Sequence, residues 1–342
     1  MSNKNIYLVV MVGSILLLTG CGGGGSNVQS STLDGFNMTE GAPDTNNGAT
    51  YLEEFLTEKN AQSTTVADLY SRINIPGLQG VHSGDWTGDG KTITVLDGSF
   101  SLETDHGRVV SDIARVVAPG ASRNEFNLTT ALTNSSQNIS TIASDVITTS
   151  VGYSPSVVAA NGTLASNLDH FVGDMEASDA LVTVAAQHSN WANGTKDGVS
   201  GTGGFPTCPD SGTMTVANCN GWAIDNLDAS NVIYVGEVNS SNIIPDWSNQ
   251  AGSTHKNQFI VTSSDKITTA SDGEPNGNSF AAPRVAGAGA LVRHKFPNLS
   301  GSQTATIILL TADDLGATGV DSVYGHGKLN IGSALAPIGN LH

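Results

Sequence analysis

Basic residues are scarce in this sequence: 14 Lys and Arg stand against 31 Asp and Glu, a formal net charge of −17 over 342 residues. Nucleic-acid binding depends on cations that displace counterions, and this balance excludes it. Attraction to anionic lipid by charge is excluded for the same reason. Cysteine is nearly absent, at three residues. His82, His170, His255, His294 and His326 fall at no paired metal-ligand spacing, so they read as surface or structural histidines and no metal ligand is assigned. No apolar run is long enough to span a bilayer, which takes about 20 residues. Internal repeats are also missing. What remains is a chain with 40 glycines and only 13% charged residues, the composition of a loop-rich globular protein. Its length suits one large α/β domain with appendages.

The N-terminus carries its own signal. In "MSNKNIYLVVMVGSILLLTGC", Lys4 precedes an apolar run over 6–18 and then small residues, the shape of a signal peptide. Leu18-Thr19-Gly20-Cys21 resembles the bacterial lipobox, which implies a signal peptide over 1–20 and a lipidated Cys21 as the first mature residue. "GGGGS" follows, and 21–50 reads as a flexible linker. Residues 51–83 form an N-terminal arm or short pro-segment, with Leu52, Phe55 and Leu56 at helical spacing. The main domain takes 84–342. The expected location is extracytoplasmic, lipid-anchored to a bacterial membrane. Export to an oxidising compartment predicts a disulfide between Cys208 and Cys219 in "TCPDSGTMTVANC".

From Thr92 onward, strand and helix patterns alternate. "TITVLD" (92–97) is β-branched and apolar, like a buried strand, and "HGRVVSDIARVV" follows with Val109, Val110, Ile113, Val116 and Val117 at helical spacing. "DVITTS" (145–150), "LVTVAA" (181–186), "NVIYVGEV" (231–238) and "QFIVTSS" (258–264) read as further strands. The segment at 277–294 and "SQTATIILLTADDL" read as helices. The fold class is α/β: a doubly wound, mostly parallel sheet with helices on both faces. In such sheets ligands sit beyond the carboxyl ends of the strands, which is where Asp97 falls.

"GNSFAAPRVAGAGALVRH" (277–294) admits two readings: a capped, buried helix, or a helix that opens on an attacking serine. Serine hydrolysis needs a hydroxyl, a histidine to take its proton and a carboxylate to orient the imidazole. Asp97 ends a strand, His106 opens the next helix, and Ser279 opens a later one near the positive end of its dipole. With these residues in view, "ITVLDGSF" resembles the aspartate segment of the subtilisin-like serine proteases (subtilases, peptidase family S8). "DHGRVVSDIARVVAPGA" resembles their histidine segment. "GNSFAAPRVAGAGALV" is similar to their Gly-Thr-Ser-Met-Ala-Ala-Pro-His-Val-Ala-Gly signature, and "PDWSNQAG" and "VDSVYGHGKLNIGSAL" look like family segments as well. The resemblance spans roughly 77–336.

The resemblance implies Ser279 as nucleophile, His106 as general base and then acid, and Asp97 as its orienting partner. Ser150-Val151-Gly152 matches the segment whose backbone pairs with an extended substrate. The chain departs from the family in four places. The order after the aspartate is Asp97-Gly98-Ser99, and His106 comes only nine positions later. Asn278 stands for the signature's threonine, and Val109 for a second histidine. For the oxyanion donor the register selects His188 and the chemistry selects Asn190, in "AAQHSN". Structural calcium is common in this family, but no segment assigns ligands to it: "GDWTGDGK" (84–91) lacks calcium-loop spacing and reads as the turn into the first strand. The implied activity is serine endopeptidase hydrolysis of extracytoplasmic proteins through an acyl-enzyme, with protein or peptide substrates as partners. The alternatives are an inactive module of the same fold that binds peptides or partners, and an esterase on the same triad.

Overall fold

The computed structural model describes residues 35–61, 63–128, 143–150, 167, 173–186, 195–196, 199–200, 229–246, 248–265, 267 and 277–336. Three helices lead in: α1 (Gly48–Glu58), α2 (Val66–Ile73) and α3 (Leu78–Ser83). The predicted helical arm is thus three short helices, the first break coming where Thr65 starts α2 with a capping box to Asp68. The expected linker also ends earlier than its composition suggests. Gly41 N–H donates to Lys295 O at 2.7 Å, and Asp44 accepts from the Thr87 hydroxyl at 2.8 Å and the Tyr51 hydroxyl at 3.0 Å, so the chain is tied to the body from Gly41 on.

Six strands then build one sheet: β1 (Thr92–Asp97), β2 (Ser122–Asn127), β3 (Val146–Thr149), β4 (Leu181–Ala185), β5 (Val232–Val238) and β6 (Phe259–Ser263). Their order is β2-β1-β3-β4-β5-β6, and every pairing is parallel. Five of the six were legible as runs of apolar and β-branched residues. β2, "SRNEFN", was not, because an edge strand with mostly exposed or half-exposed polar side chains carries no apolar run.

Successive side chains point to opposite faces, and each face has its own core. Ile93, Val95, Val146, Leu181, Ile233 and Ile260 face one way, with α4 (His106–Val117) and α5 (Asn278–Lys295). Leu96, Ile147, Val182, Tyr234, Phe259 and Val261 face the other, with Leu128 and Met175. α5 crosses its face so closely that it has room only for small residues. A Cβ on Gly287 would lie 2.5 Å from Val117 Cβ in α4, and one on Gly289 would lie 2.3 Å from the Leu181 side chain. This packing, rather than helix propensity, explains the "AGAGA" run. α6 (Gly301–Leu310) and α7 (Ile331–Leu335) complete the described helices labelled here. Among the described residues, no helix is long and apolar enough to cross a membrane.

From β1 the chain steps outward to β2, then returns to the other side of β1 at β3. That reversal makes a topological switch point, the place where the carboxyl ends of a parallel sheet leave a crevice. Leu96 pairs with Thr149 there. One residue further along each strand lie Asp97 and Ser150.

Candidate active site

Asp97 closes β1 with only 2% of its surface exposed. Its Oδ1 accepts from the Gly98 N–H at 2.7 Å, and its Oδ2 lies 2.8 Å from His106 Nδ1. A carboxylate can only accept, so Nδ1 carries the proton and Nε2 is the ring's acceptor nitrogen. His106 is the first residue of α4, and its side chain remains 34% exposed.

Eight residues, 98–105, suffice to turn from strand end to helix start because the loop is braced from within. Asp105 Oδ2 accepts from the Ser99 hydroxyl at 2.5 Å and from the Leu102 N–H at 2.9 Å. The Ser99 hydrogen bond is the main reason the Asp105 carboxyl sits below its usual range. Asn127, at the end of β2, donates to Gly98 O at 2.8 Å and holds the turn from the other side. Gly107 is required by close approach: a Cβ there would stand 2.5 Å from Ser99 O and 2.7 Å from Asp97 Cβ.

Ser279 is the second residue of α5 and is half-buried. The next residue, Phe280, packs its ring 5.6 Å from the His106 ring, which brings the start of α5 beside the imidazole. Pro283 is the sixth residue of α5, inside the helix and past its first turn, and it has no N–H to offer the carbonyl four residues back. That carbonyl is Ser279 O, and the Ser150 hydroxyl donates to it at 2.9 Å instead. In return the Ser279 hydroxyl makes a long 3.4 Å contact to Ser150 O. The topology thus brings Asp97, His106, Ser279 and Ser150 to one end of the sheet.

Supporting groups that sequence reasoning did not assign come from "PDWSNQAG". The Ser248 hydroxyl donates to Asn278 Oδ1 at 2.9 Å, so the asparagine that replaces the signature's threonine is held beside the candidate nucleophile. Asn249 Nδ2 donates to Ala186 O at 2.7 Å and anchors the end of β4, the last described position before 187. The segment's resemblance to the family was its only signal, and that gave no role. Val151, Gly152, His188 and Asn190 lie outside the described residues, as do Cys21, Cys208, Cys219 and His170.

The other described histidines have structural partners. His82 is 1% exposed, with Nε2 2.9 Å from Val117 O and Nδ1 3.0 Å from the Tyr70 hydroxyl. Burial pushes its pKa down to about 4. His294 Nδ1 accepts from the Thr87 and Gly88 N–H groups at 3.3 and 3.1 Å, which makes "GDWTGDGK" the braced turn into β1. Among the described residues, no group of three or more His, Cys, Asp and Glu is placed to hold a metal ion.

The model of the subtilase family, Peptidase_S8, matches residues 110–327, a stretch that includes Ser279 and begins just past His106. An extracellular serine protease of Serratia marcescens is 40% identical over 63 residues, which is 18% of this chain and 6% of that protein. The autotransporter lipoprotein NalP of Neisseria meningitidis is 48% identical over 59 residues, 17% of this chain and 6% of its own length. Subtilisin DY of Bacillus licheniformis is 47% identical over 60 residues, 17% of this chain and 20% of that protein. The matched stretches therefore span only a small part of these relatives. Among solved structures, a lanthipeptide protease aligns with a TM-score of 0.55 at 16% identity, covering 79% of this chain and 94% of that one. MycP1 with its N-terminal propeptide removed aligns with a TM-score of 0.51 at 18% identity, covering 79% and 96%. At such identities the likeness speaks for the fold alone. With the family match extending over more than half the chain and the sheet order above, this protein belongs to the subtilase family.

Proposed function

We propose that this protein is a serine endopeptidase that cleaves peptide bonds of extracytoplasmic proteins through an acyl-enzyme. The observation that carries the reading is the 2.8 Å hydrogen bond between His106 Nδ1 and Asp97 Oδ2, with Phe280, the residue after Ser279, packed against the same imidazole. The carboxylate fixes the tautomer and stabilises the imidazolium that forms. Ser279 Oγ attacks the substrate carbonyl carbon while its proton passes to His106 Nε2. The tetrahedral oxyanion meets the Ser279 N–H at the positive end of α5 and a side chain at 188 or 190. Collapse breaks the C–N bond, and His106 returns the proton to the leaving amine. Water then attacks the acyl carbon and gives a proton to His106 Nε2; collapse breaks the bond to Ser279 Oγ, which takes that proton from His106, and the new carboxyl terminus leaves.

By the family resemblance, the backbone of Ser150, Val151 and Gly152 would pair with an extended substrate in this reading. Cys21 carries the lipid in this reading, and Cys208 and Cys219 close a disulfide. The names of the relatives, an extracellular protease and an autotransporter lipoprotein, are consistent with an extracytoplasmic substrate.

The test is covalent labelling of the purified protein by a fluorophosphonate probe, beside Ser279→Ala and His106→Ala. Labelling of the unaltered protein, lost in both variants, is the expected result. Loss of the nucleophile or base should lower kcat by about 10⁶-fold and loss of Asp97 by about 10⁴-fold. A folded protein that takes no label would overturn the protease reading and leave a peptide-binding module of the same fold.

A further inference from the structure

Arg284 is fully buried and heads the described residues in side-chain size at that burial. It stands where the family signature has histidine. A buried guanidinium is costly unless its fork is satisfied, and here four backbone carbonyls surround it. Nε donates to Ile73 O at 3.2 Å, and Nη2 donates to Arg72 O at 3.5 Å and also to Asp265 O. Nη1 donates to Phe280 O.

These acceptors belong to three separate parts of the chain. Arg72 and Ile73 are the last two residues of α2, which Asn74 ends in the left-handed conformation at φ 49°. The carbonyls at that end form the negative pole of the helix, a favourable place for a cation. Asp265 stands two residues past β6, where the chain leaves the sheet on its way to Ser279. Phe280 follows Ser279 directly. Pro283 withholds its N–H from Ser279 O, which takes the Ser150 hydroxyl instead, and the Arg284 guanidinium adds a side-chain donor at the neighbouring Phe280 O.

We propose that Arg284 is a positioning residue for Ser279, and that through it the arm helix α2 is an obligate part of the catalytic unit rather than a removable leader. The guanidinium locks the first turn of α5 to the end of α2 and to the exit of β6. This rests on the reading of Ser279 as the nucleophile.

The test compares Arg284→Met, which keeps bulk and loses every donor, with Arg284→Lys, which keeps the charge and loses the fork. Two quantities are read on the full chain: the rate of fluorophosphonate labelling per folded molecule, and amide hydrogen exchange over 66–74 and 277–282. In Arg284→Met labelling should slow at least tenfold, exchange should quicken in both segments together, and Arg284→Lys should recover part of the loss. Thr65→Ala covers the case in which Arg284→Met fails to fold, because it removes only the capping box of α2. It should quicken exchange over 277–282 as well as 66–74 and slow labelling at least twofold. Labelling at the unaltered rate, with exchange over 277–282 unchanged, would overturn the proposal even if the melting temperature falls. If the unaltered protein takes no label, the nucleophile reading fails by itself, and the exchange data still decide whether α2 and the first turn of α5 are coupled.

Discussion

The helices that present His106 and Ser279 are built on opposite principles. α4 is amphipathic: Val109, Val110, Ile113, Val116 and Val117 are buried, while Arg108 and Arg115 reach outward to Glu125 and Glu58. α5 has no outward face at all, and every residue over 280–294 is buried, including two arginines and a histidine. The candidate base therefore sits on an element with one side in water, and the candidate nucleophile on an element gripped all round. One consequence is an asymmetry in tolerance. Packing around α5 has no direction in which to relax, whereas α4 can yield toward solvent.

The strongest way to break this contrast is to enlarge α5 where it meets α4. Gly287→Val would drive its Cβ to within 2.5 Å of Val117 Cβ and add two methyl groups beyond it. Overpacking of this kind costs about 3 kcal/mol at the upper end of its usual range, and a urea midpoint measured with the m-value unchanged would report it. A loss below ~1 kcal/mol would mean that the interface slides, and that the two helices are less different than their burial suggests.

A pH titration sharpens the other side of the comparison, because the last turn of α4 is held by His82 through Val117 O. Burial lowers the His82 pKa from 6.5 to about 4 in the folded protein. Between those values the unfolded chain takes a proton that the folded chain refuses, so stability falls as pH drops through 6.5 and levels off near 4. The expected loss is on the order of 3 kcal/mol, measured as urea unfolding at pH 7.5 and again near pH 4. His82→Gln should flatten that slope. An unchanged slope in the variant would remove His82 as its source.

The smallest effect belongs on the outer face of α4. Arg115 Nη1 lies 2.7 Å from Glu58 Oε2, but the Glu58 side chain is 58% exposed. Water screens such a pair, so Arg115→Ala should cost only about 0.2–1 kcal/mol in thermal or urea unfolding. The guanidinium also lies 5.2 Å from the centre of the Phe55 ring, and loss of that contact would place the result toward the upper end. A loss above ~2 kcal/mol would show that the arm docks through charge rather than through Leu52 and Phe55.

Much of the architecture could be read before any coordinates. The apolar, β-branched runs at 92–97, 181–186 and 258–264 announce buried parallel strands, because a strand covered on both faces has no polar side to show. Asp97, His106 and Ser279 were singled out as candidates for a different reason, since each stands in a segment whose neighbours resemble the family. β2 was not legible, because an edge strand such as "SRNEFN" is defined by its partner rather than by its own pattern. The linker boundary was misplaced for the same reason: "EGAPDTNN" has the composition of disorder, yet Asp44 finds Thr87 and Tyr51.

The sequence by itself determined what is local. The order of aspartate, histidine and serine, the periodicity of strands and helices, and the small residues and proline of α5 can all be read from neighbours along the chain. Only the tertiary structure decided which donor meets which acceptor at long range. Ser248 reaches Asn278 across 30 positions, Asn249 reaches Ala186 across 63, and Arg284 reaches Ile73 across 211. No pattern along the chain encodes the last two meetings, because a backbone carbonyl is the same group in every residue. It becomes a particular partner only when folding has removed water from around it and left one donor within reach.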